Sequence, residues 1–214
     1  MGPGKLLHFV SLAVFVVQVY PCCLPEKLEG KMVMSISLKN NGDPFTITAI
    51  YDKWAMDTTI AKSYLSGTLY VQGQAIHQKV FQDYSQGIQF ELAMGNCTVK
   101  PLPFSFTSIG RKLCLPPSSK LMTSYYGSAS ETLDFDMYLI PIHGGQMTMS
   151  LTPKGCAPIS ESISTEEGVF NFGFMGLTSG ITDPSVFEMP QSCKNLQGTV
   201  RKRDVGQSPF IPSI

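Results

Sequence analysis

All six cysteines of this 214-residue chain lie on the C-terminal side of one apolar run, and that arrangement limits the folds open to it. Lys5 supplies a positive charge, and Leu6 to Tyr20 follows as a nearly unbroken apolar stretch. The stretch is shorter than the ~20 residues that span a bilayer, and a basic start with a short apolar centre is the pattern of a secretory signal. Residues 1–20 are therefore expected to be a signal peptide, cut within about 17–21. The cysteines Cys22, Cys23, Cys97, Cys114, Cys156 and Cys193 would then reach an oxidising compartment. An even number predicts three disulfides, and six cysteines permit 15 pairings. Adjacent Cys22 and Cys23 are poor partners for each other, because a bond between neighbours needs a strained peptide. The N-terminus should therefore be clamped at two points. Zinc is disfavoured, since the chain has neither CxxC nor HxxxH spacing.

Hydrophobic periodicity points to strands. Met32, Met34, Ile36 and Leu38 alternate with Val33, Ser35, Ser37 and Lys39, the period of a half-buried strand. Asn40-Asn41-Gly42-Asp43 tolerates the positive φ of a tight hairpin turn. Beyond it, Phe45, Ile47, Ala49 and Tyr51 alternate with Thr46 and Thr48. Residues 30–52 thus read as a hairpin. Further strands are predicted at 68–72 and 75–84, through Ile88, Phe90 and Leu92, through Met147, Met149 and Leu151, and through Phe170, Phe172 and Phe174. Many short strands with polar turns predict an antiparallel sandwich or a sheet curled toward a barrel. Two places suit a short helix: Pro117 to Tyr126, and the stretch after Asp183-Pro184-Ser185, where proline fits a first helical turn. The four prolines between 101 and 117 suggest irregular or edge structure. No repeat or interdomain linker is evident, so residues 21–193 are read as one domain and 194–214 as a flexible tail.

Charge narrows the partners. Sixteen basic and sixteen acidic residues balance, and charged residues are only 15% of the chain. A nucleic-acid partner would need a basic face. Neither His77 nor His143 belongs to a recognised triad, and GxSxG, HExxH and P-loop motifs are lacking. With the cysteines bridged, a thiol nucleophile is disfavoured too, so a non-enzymatic role is expected. Asp134 and Asp136 share one face of a predicted strand and are the weak candidates for calcium, which needs six to eight converging oxygens. Asn96-Cys97-Thr98 is an N-glycosylation sequon placed after a Met94-Gly95 turn. Eleven methionines, several paired on strands, suit an adaptable apolar surface, and a curved sheet lined by Met, Phe and Ile would suit an acyl chain or a sterol-like ligand.

Four segments resemble the ependymin family: Pro21-Cys22-Cys23-Leu24-Pro25 with Leu28-Glu29-Gly30; Asn96-Cys97-Thr98; Lys154-Gly155-Cys156-Ala157-Pro158; and the run from Gly180 to Phe187 with Pro190 and Cys193. The chain departs from that pattern in having Leu28 where tryptophan is common, in lacking a cysteine within 62–70 and another after Cys193, and in having Cys23 and Cys114. The resemblance implies pairing of Cys22 with Cys156 and of Cys97 with Cys193, which leaves Cys23 for Cys114. It also implies a mostly β fold: a single curved antiparallel sheet forming an open half-barrel, similar to bacterial lipoprotein carriers, with one or two short helices. The expected activity is binding of a hydrophobic or anionic lipid in an apolar cavity. Met32, Met34, Ile36, Phe45, Ile47, Ile88, Phe90, Phe170, Phe172 and Phe174 are the candidate lining. Similar proteins are secreted or lysosomal glycoproteins, often homodimeric and linked with calcium. The rival expectation is a structural or adhesive matrix component without a small-molecule ligand.

Overall fold

A computed structural model describes residues 21–40, 43–102, 114–128, 130–142, 144–194 and 196. The proposed signal peptide, Asn41-Gly42 of the expected hairpin turn, most of the tail, His143 and much of the proline-rich segment fall outside them. Among the described residues, thirteen strands form two sheets. The strands are β1 (Cys22–Cys23), β2 (Lys27–Asn40), β3 (Asp43–Asp57), β4 (Lys62–Val71), β5 (Gln74–Asp83), β6 (Ile88–Ala93), β7 (Asn96–Pro101), β8 (Cys114–Leu115), β9 (Lys120–Ser128), β10 (Glu131–Ile142), β11 (Gly145–Leu151), β12 (Pro158–Thr165) and β13 (Gly168–Ser179). β1 and β8 pair as a small ribbon. The other eleven form one antiparallel sheet in the order β7-β6-β5-β4-β3-β2-β13-β12-β11-β10-β9. Two meanders, β2 to β7 and β9 to β13, therefore join along β2 and β13, leaving β7 and β9 as the two edges of an unclosed sheet.

Local chemistry fixes the register. β4 turns into β5 through Gln72 and Gly73, both with positive φ (49° and 79°), and β6 turns into β7 through Met94 and Gly95 (49° and 80°). Two successive left-handed residues give the hairpin turn whose twist matches paired strands, with glycine at the position that a side chain would strain. Bulges in β2 at Gly30/Met32, in β3 at Tyr51/Lys53 and in β13 at Met175/Thr178 increase local twist where the two meanders meet.

Following the register across the strands separates two faces. Leu28, Met32, Met34, Ile36, Ile47, Ala49, Tyr51, Trp54, Leu65, Val80, Phe170, Phe172, Ile163, Met147, Met149 and Tyr138 share one of them. The sheet curls toward this face. Trp54 on β3 and Phe174 on β13 approach to 5.0 Å between ring centroids although β2 runs between their strands. The Glu161 carboxylate of β12 also lies near enough to Tyr84, just beyond β5, to add to the upward shift that burial gives the Tyr84 hydroxyl. Five strand spacings separate β5 from β12 in the sheet order, about 24 Å if the sheet were flat. Only a curled sheet brings them together, and the result is an open half-barrel.

The other described segments cover the two arms of the sheet on opposite sides. The β1–β8 ribbon sits on the inner face at one end, where Cys22, Leu24 and Leu115 pack with Tyr138, Met149 and Leu151. The Cys22–Cys156 disulfide ties it to the segment between β11 and β12, and Cys23–Cys114 joins its two strands. The C-terminal segment crosses the outer face of the other arm, with Ile181, Val186, Phe187 and Met189 over Tyr64, Phe81, Ile88 and Phe90. It is held by Cys97–Cys193 and by Glu29, which accepts hydrogen bonds from the Thr182 amide (2.9 Å) and hydroxyl. Two short helical turns occur here: a 3-10 turn at Pro184–Phe187, whose Asp183 side chain accepts from the Ser185 amide, and a single α-turn at Gln191–Lys194.

One expected helix is replaced. Only Pro117–Ser119 forms a 3-10 turn, and Lys120 to Ser128 is β9. Thr123, Tyr125 and Tyr126 favour the extended chain, and β10 supplies the partner that a helix would lack.

Candidate functional site

The inner face surrounds an apolar floor that retains solvent contact. Met34, Ile36, Phe45, Met147, Phe172 and Phe174 are only half-buried, although each packs against fully buried side chains beneath or beside it. On an isolated strand face such residues would be core, but here they face the concave side of a curled sheet. Eight of the ten candidate lining residues fall on this face: Met32, Met34, Ile36, Phe45, Ile47, Phe170, Phe172 and Phe174. Ile88 and Phe90 do not. They point to the outer face and are buried with Cys193 under the C-terminal segment. Alternation along β6 makes its even-numbered residues the apolar set, but only the covering segment decides that this set faces outward.

Across the hollow from the apolar floor is a polar wall on β4 to β7. Ser63 donates to Gln82 Oε1 (2.5 Å), which also accepts from the Tyr84 hydroxyl (2.7 Å). Gln82 Nε2 donates to Gln89 Oε1 (3.2 Å), Gln89 Nε2 donates to Glu91 Oε1 (2.8 Å), and Lys100 Nζ lies 2.7 Å from Glu91 Oε2. Gln78 Nε2 donates to the buried Tyr51 hydroxyl (3.0 Å). Burial pushes the Tyr51 and Tyr84 hydroxyls up to about 12, so both remain protonated donors and acceptors.

Glu161 is the ionisable group within the apolar part. On the inner face it pairs with Met149 of β11 on one side and Phe172 of β13 on the other, with Ile163 two residues along its own strand. Burial alone pushes its carboxyl up from 4.5 to about 7. It was not singled out from the sequence, yet a signal exists: Ile159-Ser160-Glu161-Ser162-Ile163 places a charge at an apolar position of an alternating strand.

The remaining candidates lie elsewhere. Asp136 Oδ1 accepts from Thr123 Oγ1 (2.8 Å) and faces Lys120 Nζ (2.7 Å), while Asp134 is exposed. Among the described residues, no three His, Cys, Asp or Glu side chains converge as a metal site would need. Asn96 is exposed at the start of β7, and His77 is exposed on β5. A separate pocket of about 360 Å³ lies between the ends of β4 and β5 and the C-terminal segment, lined in part by Lys62, Asp83, Glu188 and Lys194.

These features define a class: a disulfide-bonded, mostly β protein built on one open, curled antiparallel sheet. The chain belongs to the ependymin family, whose Ependymin model matches residues 72–193, more than half of its length. No curated protein matches the chain. Among solved structures it is similar to LprF from Mycobacterium bovis, at 8% identity and a TM-score of 0.37, over 75% of this chain and 89% of that one. It is also similar to a DUF1329 family protein from Desulfovibrio piger, at 8% identity and a TM-score of 0.23, over 77% and 90% of the two chains. Three disulfides fit an extracellular setting. No helix among the described residues is long and apolar enough to cross a membrane.

Proposed function

We propose that this protein is a secreted, non-enzymatic carrier that holds a chain-bearing apolar ligand in the hollow of its half-barrel. The observation that carries this reading is the half-exposed state of Met34, Ile36, Met147, Phe172 and Phe174 on the inner face of a curled sheet. A closed core would bury them. Each ligand methylene removed from water against them contributes about 0.8 kcal/mol, and methionine adapts its shape to different chains. The Tyr84, Gln82 and Gln89 wall gives a polar end of the ligand hydrogen-bond partners.

The test is native mass spectrometry of the protein purified from secreting cells, together with titration by the neutral fluorophore N-phenyl-1-naphthylamine. A co-purifying lipid or saturable probe binding supports the carrier. Lipid-free protein that also gives no saturable fluorescence change overturns it.

The matrix reading rests on a different observation. Met122, Tyr126, Leu133 and Leu139 share the outer face of β9 and β10 and are exposed. An adhesive component would use that face, and substituting Tyr126 and Leu133 by serine would then release the protein from insoluble matrix while leaving probe binding in the hollow intact.

A further inference from the structure

One carboxylate among the apolar lining has no structural task that the fold reveals, whereas Asp136 on the same face is engaged by Lys120 and Thr123. Glu161 makes neither a hydrogen bond nor an ion pair with any described residue. Its neighbours on the inner face are Met149, Phe172 and Ile163. Those neighbours belong to three apolar clusters, around Met149 and Leu151, around Ile163 and Phe170, and around Trp54 and Met32 with Phe172 and Phe174 at the edge, so Glu161 sits where the three meet. A carboxylate that served only solubility would lie on the outer face, where Ser160, Ser162 and Ser164 of the same strand point. A carboxylate held among apolar neighbours without a protein partner costs stability, and Glu161 stays partly open to solvent, from which a partner can reach it.

We infer that Glu161 makes the hollow selective for an amphiphile with a protonated amine head, such as a long-chain alkylamine or a sphingoid-type base, rather than for a fatty acid. This rests on the carrier reading and specifies its ligand. The ammonium of such a molecule would replace water at the Glu161 carboxylate while its chain lies along Met34, Phe172 and Met147. A charge-assisted hydrogen bond in a site of low polarity is stronger than one to a neutral hydroxyl. A fatty-acid carboxylate in the same pose would set two negative charges together.

The groups facing Glu161 are few. β11 presents Met149 and β13 presents Phe172, neither of which titrates, and beyond β11 the Asp136 carboxylate of β10 is paired with Lys120. The Tyr84 hydroxyl across the hollow stays protonated throughout the physiological range, and Glu91 is engaged by Lys100 farther along the opposite wall. Amine selectivity should therefore follow the ionisation of Glu161 itself, present when the carboxyl is charged above about 7 and fading as it takes up a proton below that. An alkylamine remains protonated across this range, as a lysine does.

The experiment is displacement of N-phenyl-1-naphthylamine from the purified full-length secreted protein by dodecylamine, dodecanol and laurate, at pH 8 and pH 5.5. At pH 8 dodecylamine should bind about ten-fold more tightly than dodecanol, with laurate the weakest. The amine-to-alcohol ratio should collapse toward one at pH 5.5, and in Glu161→Gln it should be near one at both pH values. A ratio near one in the wild type at pH 8, tighter binding of laurate, or a ratio that Glu161→Gln leaves unchanged overturns the assignment while leaving the carrier standing. Failure of the probe to bind protein that carries no co-purifying lipid, or of all three chains to displace it, overturns both. Should Glu161→Gln fold poorly, the pH dependence of the wild-type ratio decides alone, and a flat ratio sinks the proposal.

Discussion

Trp54 on β3 and Phe174 on β13 pack at 5.0 Å between ring centroids, tilted by 50°, across the strand that separates them. Strands two apart in a flat sheet are roughly 9.5 Å apart. The rings meet because the β2 residue opposite Trp54 is Gly30, which places no side chain between them, and because the sheet bends toward this face. A Cβ on Gly30 would lie 2.7 Å from Leu177 Cδ2 and 2.9 Å from the Met175 carbonyl oxygen. Gly30 therefore also permits the close passage of the β13 bulge.

Trp54 is the chain's only tryptophan, and its ring partner Phe174 lines the hollow. Emission of the intact protein should therefore report occupancy directly. A chain-bearing ligand carrying bromine near its middle should quench Trp54 saturably, and the unbrominated analogue should reverse the effect. In Phe174→Ala the ligand should bind more weakly and the emission should shift to the red, as water reaches the indole. Quenching that rises linearly with concentration and never saturates would show that the ligand does not enter the hollow.

Glu161 predicts an unusual pH profile of stability. Its folded-state value of about 7 lies above its ordinary 4.5, so the folded protein holds a proton that the unfolded chain has released. Stability from this group is complete below about 4.5 and falls as pH rises to about 7, by on the order of 1–3 kcal/mol. Glu29 has the opposite sign: its hydrogen bonds from Thr182 lower its value, so its contribution is lost on acidification below the ordinary carboxylate range. Urea unfolding of ligand-free protein at pH 5 and pH 8 separates the two. Glu161→Gln should be more stable than wild type at pH 8 and close to it at pH 5. Equal midpoints at both pH values would show that the carboxyl is not enclosed.

How much of this was legible depended on the range of the interaction. The β2–β3 hairpin followed from Met32, Met34 and Ile36 alternating up to an Asn-Gly turn, and the β13 stripe from Phe170, Phe172 and Phe174, because period two is written locally. Which face each stripe uses is not local. Phe172 and Phe90 read alike in the sequence, yet one lines the hollow and the other is buried beneath residues 181–193 on the outer side. Tyr125 and Tyr126 could not reveal their strand without knowledge that β10 would pair with them. Glu161 stood in plain view between Ile159 and Ile163, but a charge at an apolar parity acquires meaning only once the sheet has curled around it.

Gly67 lies in β4 opposite the β3 bulge, paired with Tyr51. A Cβ there would sit 2.0 Å from the Ile50 carbonyl oxygen and 2.6 Å from Tyr51 Cα, both backbone atoms that cannot rotate away. Gly67→Ala should therefore force β3 and β4 apart where Tyr51 bonds Gln78, costing about 1–3 kcal/mol. The thermal midpoint should fall markedly. Serine at Gly173, which lies on the outer face in open space, where a Cβ meets nothing within 4 Å, should leave it nearly unchanged. Similar midpoints for the two variants would contradict the close approach.

The Cys97–Cys193 bond closes a separation of 96 residues and ties the C-terminal segment to edge strand β7. Without it, among the described residues, side-chain packing, the Glu29–Thr182 bonds and the Gly180 amide's hydrogen bond to the Lys27 carbonyl remain to hold Ile181, Val186, Phe187 and Met189 over Phe81 and Phe90. Replacing both cysteines by alanine avoids a stray thiol. The double variant should lose about 2–4 kcal/mol. The loss should also be local, since the clusters around Trp54 and around Tyr138 contain neither cysteine. Hydrogen exchange should therefore quicken across β6, β7 and residues 180–194, while β2, β13 and the hollow keep their protection and probe binding persists. Uniform loss of protection over the whole sheet would instead make this bond a determinant of the entire half-barrel and would remove the distinction between a clasped outer layer and an independently stable ligand-bearing floor.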